Sequence, residues 1–378
     1  MTSSKWDPTG VYSGLNVSPI INAGGPITRL GGSRTRPEVL DAMTRAATVM
    51  VEVNDLNQRA GERIAQLTGA EAGFVCSGAA GGLVLQAAAC IAGTDPFRMR
   101  QLPDTTGMKN EIIIQNCHRF AYDQAYRAAG AKLVGVGDGR RTQAWELEGA
   151  ITESTAAVAY LFSNHLSRRA MGLEEVCRIA HKHDVPVIVD GASMLPPRAN
   201  LTRYLAQGAD MVVFSGGKGM RGPQGTGILC GRADLIAGAA AQANPNQFLA
   251  RPMKVSKEEV VGLVTALELF AEEDDDTEFA SYRSLLQPVV DALVEIPGIS
   301  VSIEQDDFDY FIPTAVIRFG PDWRGPSKDE VVSTLANGDP PIYFGGLSDP
   351  DELTVDPTNL IEAEIGVLSQ RLRDELTK

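Results

Sequence analysis

Residues 208–231 read Gly-Ala-Asp-Met-Val-Val-Phe-Ser-Gly-Gly-Lys-Gly-Met-Arg-Gly-Pro-Gln-Gly-Thr-Gly-Ile-Leu-Cys-Gly, a short apolar run that opens into a glycine-rich turn carrying one lysine, Lys218. A lysine normally keeps its ammonium in water. One set between Gly217 and Gly219, with Ser215 just before it, marks a place where the backbone can approach a ligand closely. The chemistry such a lysine offers is a Schiff base with a carbonyl cofactor, with Ser215 donating to a phosphate. An exposed loop lysine is the plainer reading of the same residue. Gly217 to Gly222 also spells G-x-G-x-x-G, but Pro223, Gly225 and Gly227 stand where a phosphate-capping helix would begin, so no dinucleotide-binding turn is expected.

The carbonyl cofactor that uses a lysine in this way is pyridoxal phosphate, which also needs a phosphate cradle and a carboxylate for its pyridine nitrogen. Ser77-Gly78-Ala79-Ala80 lies between a strand ending at Cys76 and an alanine-rich helix predicted over residues 81–91. A helix N-terminus presents free N–H groups and the positive end of a dipole, so it can hold a phosphate dianion, with the Ser77 hydroxyl adding a bond or simply capping the helix. Asp190 ends the run Val187-Ile188-Val189, and carboxyl ends of parallel strands are where α/β sheets bind ligands. A carboxylate there would keep the ring nitrogen protonated. His118, just past another predicted strand, is placed to stack on the ring. His165, after Tyr160-Leu161-Phe162, is a lesser candidate for orienting an oxygen of substrate or cofactor.

These groups need a scaffold that brings them to one edge. From about residue 60 to 235, helical periodicity alternates with short β-rich runs, which predicts an α/β domain with a mostly parallel sheet covered by helices. Strands are expected at 73–76, 111–115, 132–136, 156–162, 186–189, 211–214 and 227–230, and helices at 122–129, 173–181 and 201–207. A further helix over 255–270 ends in the acidic run Glu272–Asp276 and carries the chain into a second, smaller α/β unit. The expected division is an N-terminal arm (1–45), a large domain (46–250), and a linking helix with a small C-terminal domain (251–378).

The net charge of −14 repels nucleic-acid backbones, so no nucleic-acid partner is expected. Arginines near the candidate segments, among them Arg29, Arg221 and Arg251, point instead to a small anionic ligand, against the plainer alternative of surface ion pairing. No apolar run reaches membrane-spanning length and the first residues lack the apolar core of a signal peptide, so a cytoplasmic location is expected. The five cysteines are scattered, and His181 and His183 fall two apart on a predicted helix, so no metal site is expected.

Residues 20 to about 270 resemble the fold type I pyridoxal-phosphate enzymes, in the branch holding bacterial seryl-tRNA selenium transferase and glucosaminate-6-phosphate ammonia lyase. The resemblance is carried by Ile21-Asn22-Ala23-Gly24 with Thr28 to Ser33, Cys117-His118-Arg119 with Ala121-Tyr122-Asp123, Pro186 to Pro197, Phe214 to Gly231, and Arg251 to Val255 with Lys257-Glu258-Glu259. It implies Lys218 as the Schiff-base lysine, Asp190 as the partner of the pyridine nitrogen, and Ser77, Gly78 and Ser215 as phosphate ligands, with Ala79 beside them. It also implies His118 as the stacking ring and a homodimer or larger assembly. The extra N-terminal tRNA-binding domain of the selenium transferases is not expected here. The implied reaction is a lyase's: Lys218 removes the Cα proton of an amino acid, a β-group leaves, and ammonia and a 2-oxo acid follow. Racemisation, retro-aldol cleavage and transamination draw on the same residues, because the outcome turns on which Cα bond stands perpendicular to the ring. A cofactor-binding scaffold without catalysis is the non-enzymatic alternative.

Overall fold

The computed structural model describes Asp7 and residues 10–163, 170–346 and 349–378. The chain forms two compact units, one of Thr35–Glu273 and one of Met1–Arg34 with Asp274–Lys378.

The larger unit is built on seven strands: β1 (Ala72–Cys76), β2 (Glu111–Gln115), β3 (Lys132–Val136), β4 (Thr155–Leu161), β5 (Val187–Asp190), β6 (Met211–Ser215) and β7 (Gly227–Gly231). Their order across the sheet is β1-β7-β6-β5-β4-β2-β3. The run from β6 to β3 is parallel, whereas β7 lies antiparallel to both β6 and β1. All four residues of β5 are buried, which is why it reads as an unbroken apolar run with a carboxylate at its end; helices cover both faces of such a sheet.

Among the described residues this unit has ten α-helices: α1 (Pro37–Ala47), α2 (Val53–Thr68), α3 (Gly78–Ala92), α4 (Pro96–Gln101), α5 (Asp123–Ala128), α6 (Ala144–Ala150), α7 (Leu173–His181), α8 (Asn200–Ala206), α9 (Ala233–Gln242) and α10 (Lys257–Glu272). Small residues let α3 settle directly on the sheet. A Cβ on Gly82 would stand 2.4 Å from the Val213 side chain. Helix α3 also begins three residues earlier than its alanine run suggests, which makes Ser77 the residue that precedes its first turn.

Helix α10, expected to open the C-terminal domain, lies within the larger unit, where it packs along α1 and α2. The acidic run marks its end: Glu273 forms ion pairs with both Arg36 and Arg198.

In the smaller unit, Asp274 caps α11 (Asp275–Leu293) by accepting from the Thr277 amide at 2.8 Å. Three antiparallel strands follow, β8 (Ile299–Glu304), β9 (Thr314–Phe319) and β10 (Glu352–Val355), in the order β10-β9-β8, with α12 (Lys328–Ala336) and α13 (Glu362–Leu376). The arm does not stand alone as residues 1–45. Ile21–Asn22 pairs in parallel with Ile342–Tyr343, and Asn359 gathers the following turn, donating to the carbonyls of Gly25 and Gly32 and accepting from the Arg34 amide. From Pro37 the chain is α1 of the larger unit.

Candidate active site

The carboxyl ends of β5 and β6 lie side by side, with Asp190 opposite Val213 in the register and Ser215 two residues beyond it. Asp190 is 7% exposed and accepts from the Ala192 amide at 3.0 Å. Its carbonyl accepts from the Phe162 amide, and Gly191 donates to the Val213 carbonyl, so the backbone on its far side is pinned to both neighbouring strands. Burial raises its carboxyl above the usual range, and the Ala192 amide and the charge of Lys218 pull the other way.

Lys218 is half-buried in the turn between β6 and β7. Burial lowers its amine, and the Asp190 carboxylate acts against that shift. The turn has no room for side chains: a Cβ on Gly217 would stand 2.4 Å from the Gln224 backbone, and one on Gly219 would stand 2.0 Å from the Leu195 carbonyl oxygen. Gly216 donates to Thr226, Gly222 to Gly216 and Arg221 to Lys218, closing the loop on itself. Arg221 takes φ +56, a region that side chains enter only at a cost. The strand β7 follows directly, where a dinucleotide-binding turn would need a helix.

The phosphate candidates gather around Gly227. This residue pairs with Ser215 on one side and Cys76 on the other, and a Cβ on it would lie 2.9 Å from the Gly78 carbonyl carbon and 3.0 Å from the Ala79 amide. Strand β7 therefore runs hard against the first turn of α3, and brings Ser77, Gly78, Ala79 and Ser215 together. The Ser77 side chain makes no capping bond to its own helix, so the capping explanation of that serine does not hold. Gly78 takes φ +62, and a Cβ there would meet nothing within 4 Å, so there is open space beside the start of α3. A phosphate dianion fits that cradle, and a protonated pyridine nitrogen fits the buried carboxyl of Asp190.

His118 ends a 3-10 turn (Asn116–His118) at the close of β2 and is 3% exposed. Its Nδ1 accepts from the Leu161 amide at 3.4 Å, and Leu161 is the residue opposite Asp190 in the sheet. The ring meets that of Tyr160 edge to face at 4.6 Å. Burial lowers its pKa to about 4, so the imidazole is neutral at ordinary pH.

Of the three arginine candidates, Arg251 lies in a turn that places the Met253 sulfur 4.0 Å from a Cβ built on Gly81, hence beside the first turn of α3. Among the described residues none pairs with its guanidinium. Arg221 lies in the Lys218 turn itself. Arg29 belongs to the smaller unit, where its guanidinium sits 5.4 Å over the Tyr343 ring. His165 falls outside the described residues.

Two contributors were not anticipated. Gly227 looked like the ordinary start of a strand, although a glycine leading into an apolar run is a signal of close backbone approach. Tyr126, on α5, is 4% exposed, and its phenol is pushed well above its usual pKa by burial and then by the Asp190 charge. Nothing in its local sequence distinguishes it from a core tyrosine.

The sequence profile of the family described as SelA, L-seryl-tRNA selenium transferase, matches residues 20–295. D-glucosaminate-6-phosphate ammonia lyase from Salmonella typhimurium is 34% identical over 370 residues, covering 96% of this chain and 97% of the relative. A 5'-C-glycyluridine monooxygenase-decarboxylase from a Streptomyces species is 35% identical over 357 residues, covering 92% of this chain and 88% of the relative. The solved structure of D-glucosaminate-6-phosphate ammonia-lyase superposes with a TM-score of 0.85 at 34% identity, over 97% of this chain and 98% of that one. The fold is that of the fold type I pyridoxal-phosphate transferases.

Proposed function

Because this chain belongs to the L-seryl-tRNA selenium transferase family, we propose that it is a pyridoxal-phosphate-dependent ammonia lyase acting on an anionic amino acid or amino-sugar acid. The observation that carries the reading is the meeting of Lys218, Asp190 and the uncapped start of α3 along one edge of the sheet.

When bound, pyridoxal phosphate supplies a ring that stabilises negative charge at the substrate Cα. The residues of the chain do the rest. The first amides of α3, with Ser77 and Ser215, would hold the phosphate. Asp190 would keep a proton on the ring nitrogen, and His118, neutral and buried, would stack on the ring. Lys218 would hold the cofactor through its amine, and the same amine, when free, would be the base that takes the substrate Cα proton. Burial lowers its pKa, which favours the uncharged amine that a base requires. The proton taken by Lys218 would leave with the hydroxyl of the neighbouring carbon as water, and addition of one water to the resulting enamine would yield ammonia and a 2-oxo acid. Arg251 is placed to clamp a carboxylate or distal phosphate in bidentate fashion.

The family resemblance supports a homodimer or larger assembly. Strong acidity disfavours nucleic acid as a partner. Among the described residues no helix is long and apolar enough to cross a membrane, which is consistent with the cytoplasmic location we assign.

The test is ammonia release, without oxygen, from a panel of D- and L-3-hydroxy amino acids and 2-amino sugar acids with and without a terminal phosphate. Equal amounts of ammonia and 2-oxo acid support the lyase. Turnover only with oxygen uptake would favour chemistry like that in the name of the Streptomyces relative, and ammonia from no substrate would sink the lyase reading.

A further inference from the structure

Gln86 is the one amide or charged side chain in α3, a helix otherwise made of glycine, alanine, aliphatic residues and Cys90. It is fully buried, at 0% exposure. Its Nε2 donates to the carbonyl of Val189 at 3.1 Å, and its Oε1 has no hydrogen-bond partner among the described residues. For stability alone this is a poor choice. A buried amide with half its bonding capacity unmet costs free energy that an apolar side chain of similar shape does not.

The bond itself shows what the residue is for. Val189 immediately precedes Asp190, so its carbonyl lies in the peptide plane that joins the two residues. The plane after Asp190 is already fixed within the sheet, through Phe162 and Val213. The plane before it also lies within the ladders to both neighbouring strands, and Gln86 adds a bond to its carbonyl from the helix whose first turn forms the phosphate cradle.

We propose that Gln86 is a positioning residue: by tying the Val189–Asp190 peptide to α3, it holds the Asp190 carboxylate and the amides at the start of that helix at one set spacing. That spacing would have to match the one between a pyridine ring nitrogen and its phosphate. The inference rests on the cofactor reading given above, and deepens it by naming the residue that couples the two ends of the cofactor's site.

Gln86→Met keeps the length of the side chain and removes the amide. The measurements are the Tm of the cofactor-free protein and the Kd for two ligands, pyridoxal phosphate and an analogue with carbon in place of the ring nitrogen. The expected result is a Tm equal to or above the wild-type value, with binding of pyridoxal phosphate weakened about tenfold, as when the partner that orients a ligating group is lost. The analogue, which has no nitrogen to offer Asp190, should bind both proteins alike. An unchanged Kd for pyridoxal phosphate would overturn the proposal. So would an equal loss with the analogue, because the helix would then merely have loosened, or a fall in Tm, because the amide would then be serving the core. If the wild-type chain takes up neither ligand, the cofactor reading fails first and takes this inference with it.

Discussion

Lys218 and Asp190 attract each other, yet for both the cost of burial is the larger effect: the amine is held below its ordinary pKa and the carboxyl above it. The sheet edge thus carries two groups that would each be easier to keep in water. For Asp190, the folded chain binds more protons than the unfolded one from about pH 3.9 up to the raised folded pKa, so stability falls as pH rises through that window. For Lys218, the unfolded chain binds more protons between the lowered folded pKa and about 10.4, so stability rises with pH there. Near neutrality both costs are in force.

Asp190→Asn should therefore raise the Tm of the cofactor-free protein at pH 7, and the gain should shrink below about pH 4, where the native carboxyl is protonated in both states. The same change removes a charge-assisted bond and should weaken pyridoxal phosphate by about 1.5–3 kcal/mol. Thermal unfolding at the two pH values and a cofactor titration check the two halves independently.

His118 sets an acid limit. Its folded pKa of about 4 lies below the unfolded value near 6.5, so the unfolded chain binds the extra proton and stability drops as pH falls through that interval. The loss should be no more than about 1.4 kcal/mol per pH unit. In His118→Phe, urea unfolding measured at half-unit steps should show a shallower slope over the same interval.

Gly227→Ala would force a methyl into the first turn of α3. Overpacking of this kind costs about 1–3 kcal/mol. A lower Tm is expected together with a weaker affinity for pyridoxal phosphate and, because the damage is to the phosphate cradle, an equal loss of affinity for inorganic phosphate as a competitor. Ser77→Ala, which deletes a hydroxyl that caps nothing, should lower cofactor affinity without lowering the Tm.

Arg251→Met should raise the KM for an anionic substrate at least about tenfold, the worth of one bidentate ion pair, while the borohydride-sensitive absorbance of the bound cofactor stays as in the wild type. A loss of that absorbance instead would place Arg251 on the cofactor.

Lys218→Ala should abolish borohydride-trapped cofactor and lower ammonia release by about 10³-fold or more. Trapping that persists in the variant would move the Schiff base to another lysine.

The parallel sheet was legible because its central strands are short apolar runs ending at a polar residue, as in Val187–Asp190 and Met211–Ser215. Lys218 and Asp190 stood out because charged residues at such strand ends have few structural reasons to be there. The division of the chain was not legible, since the arm joins the smaller unit through single backbone pairings and through Asn359, whose partners lie hundreds of positions away in sequence. The tie from Gln86 to Val189 was hidden for the same reason. A helical glutamine is ordinary until the strand beneath it is known.

The antiparallel strand β7 has a consequence for how the protein is made. It is the last strand of the sheet to leave the ribosome, and it must slot between β6 and the first strand, pairing residue 231 with residue 72. Until then β1 and β6 both present open edges, which are the surfaces through which incomplete sheets associate. Pairings so distant in sequence are slow to form. The Lys218 turn lies only a few residues before β7, so Lys218 and the start of α3 that β7 packs against are brought to the sheet in the same late step. A nascent chain halted short of residue 227 would own every helix of the cradle and still have no place for the cofactor.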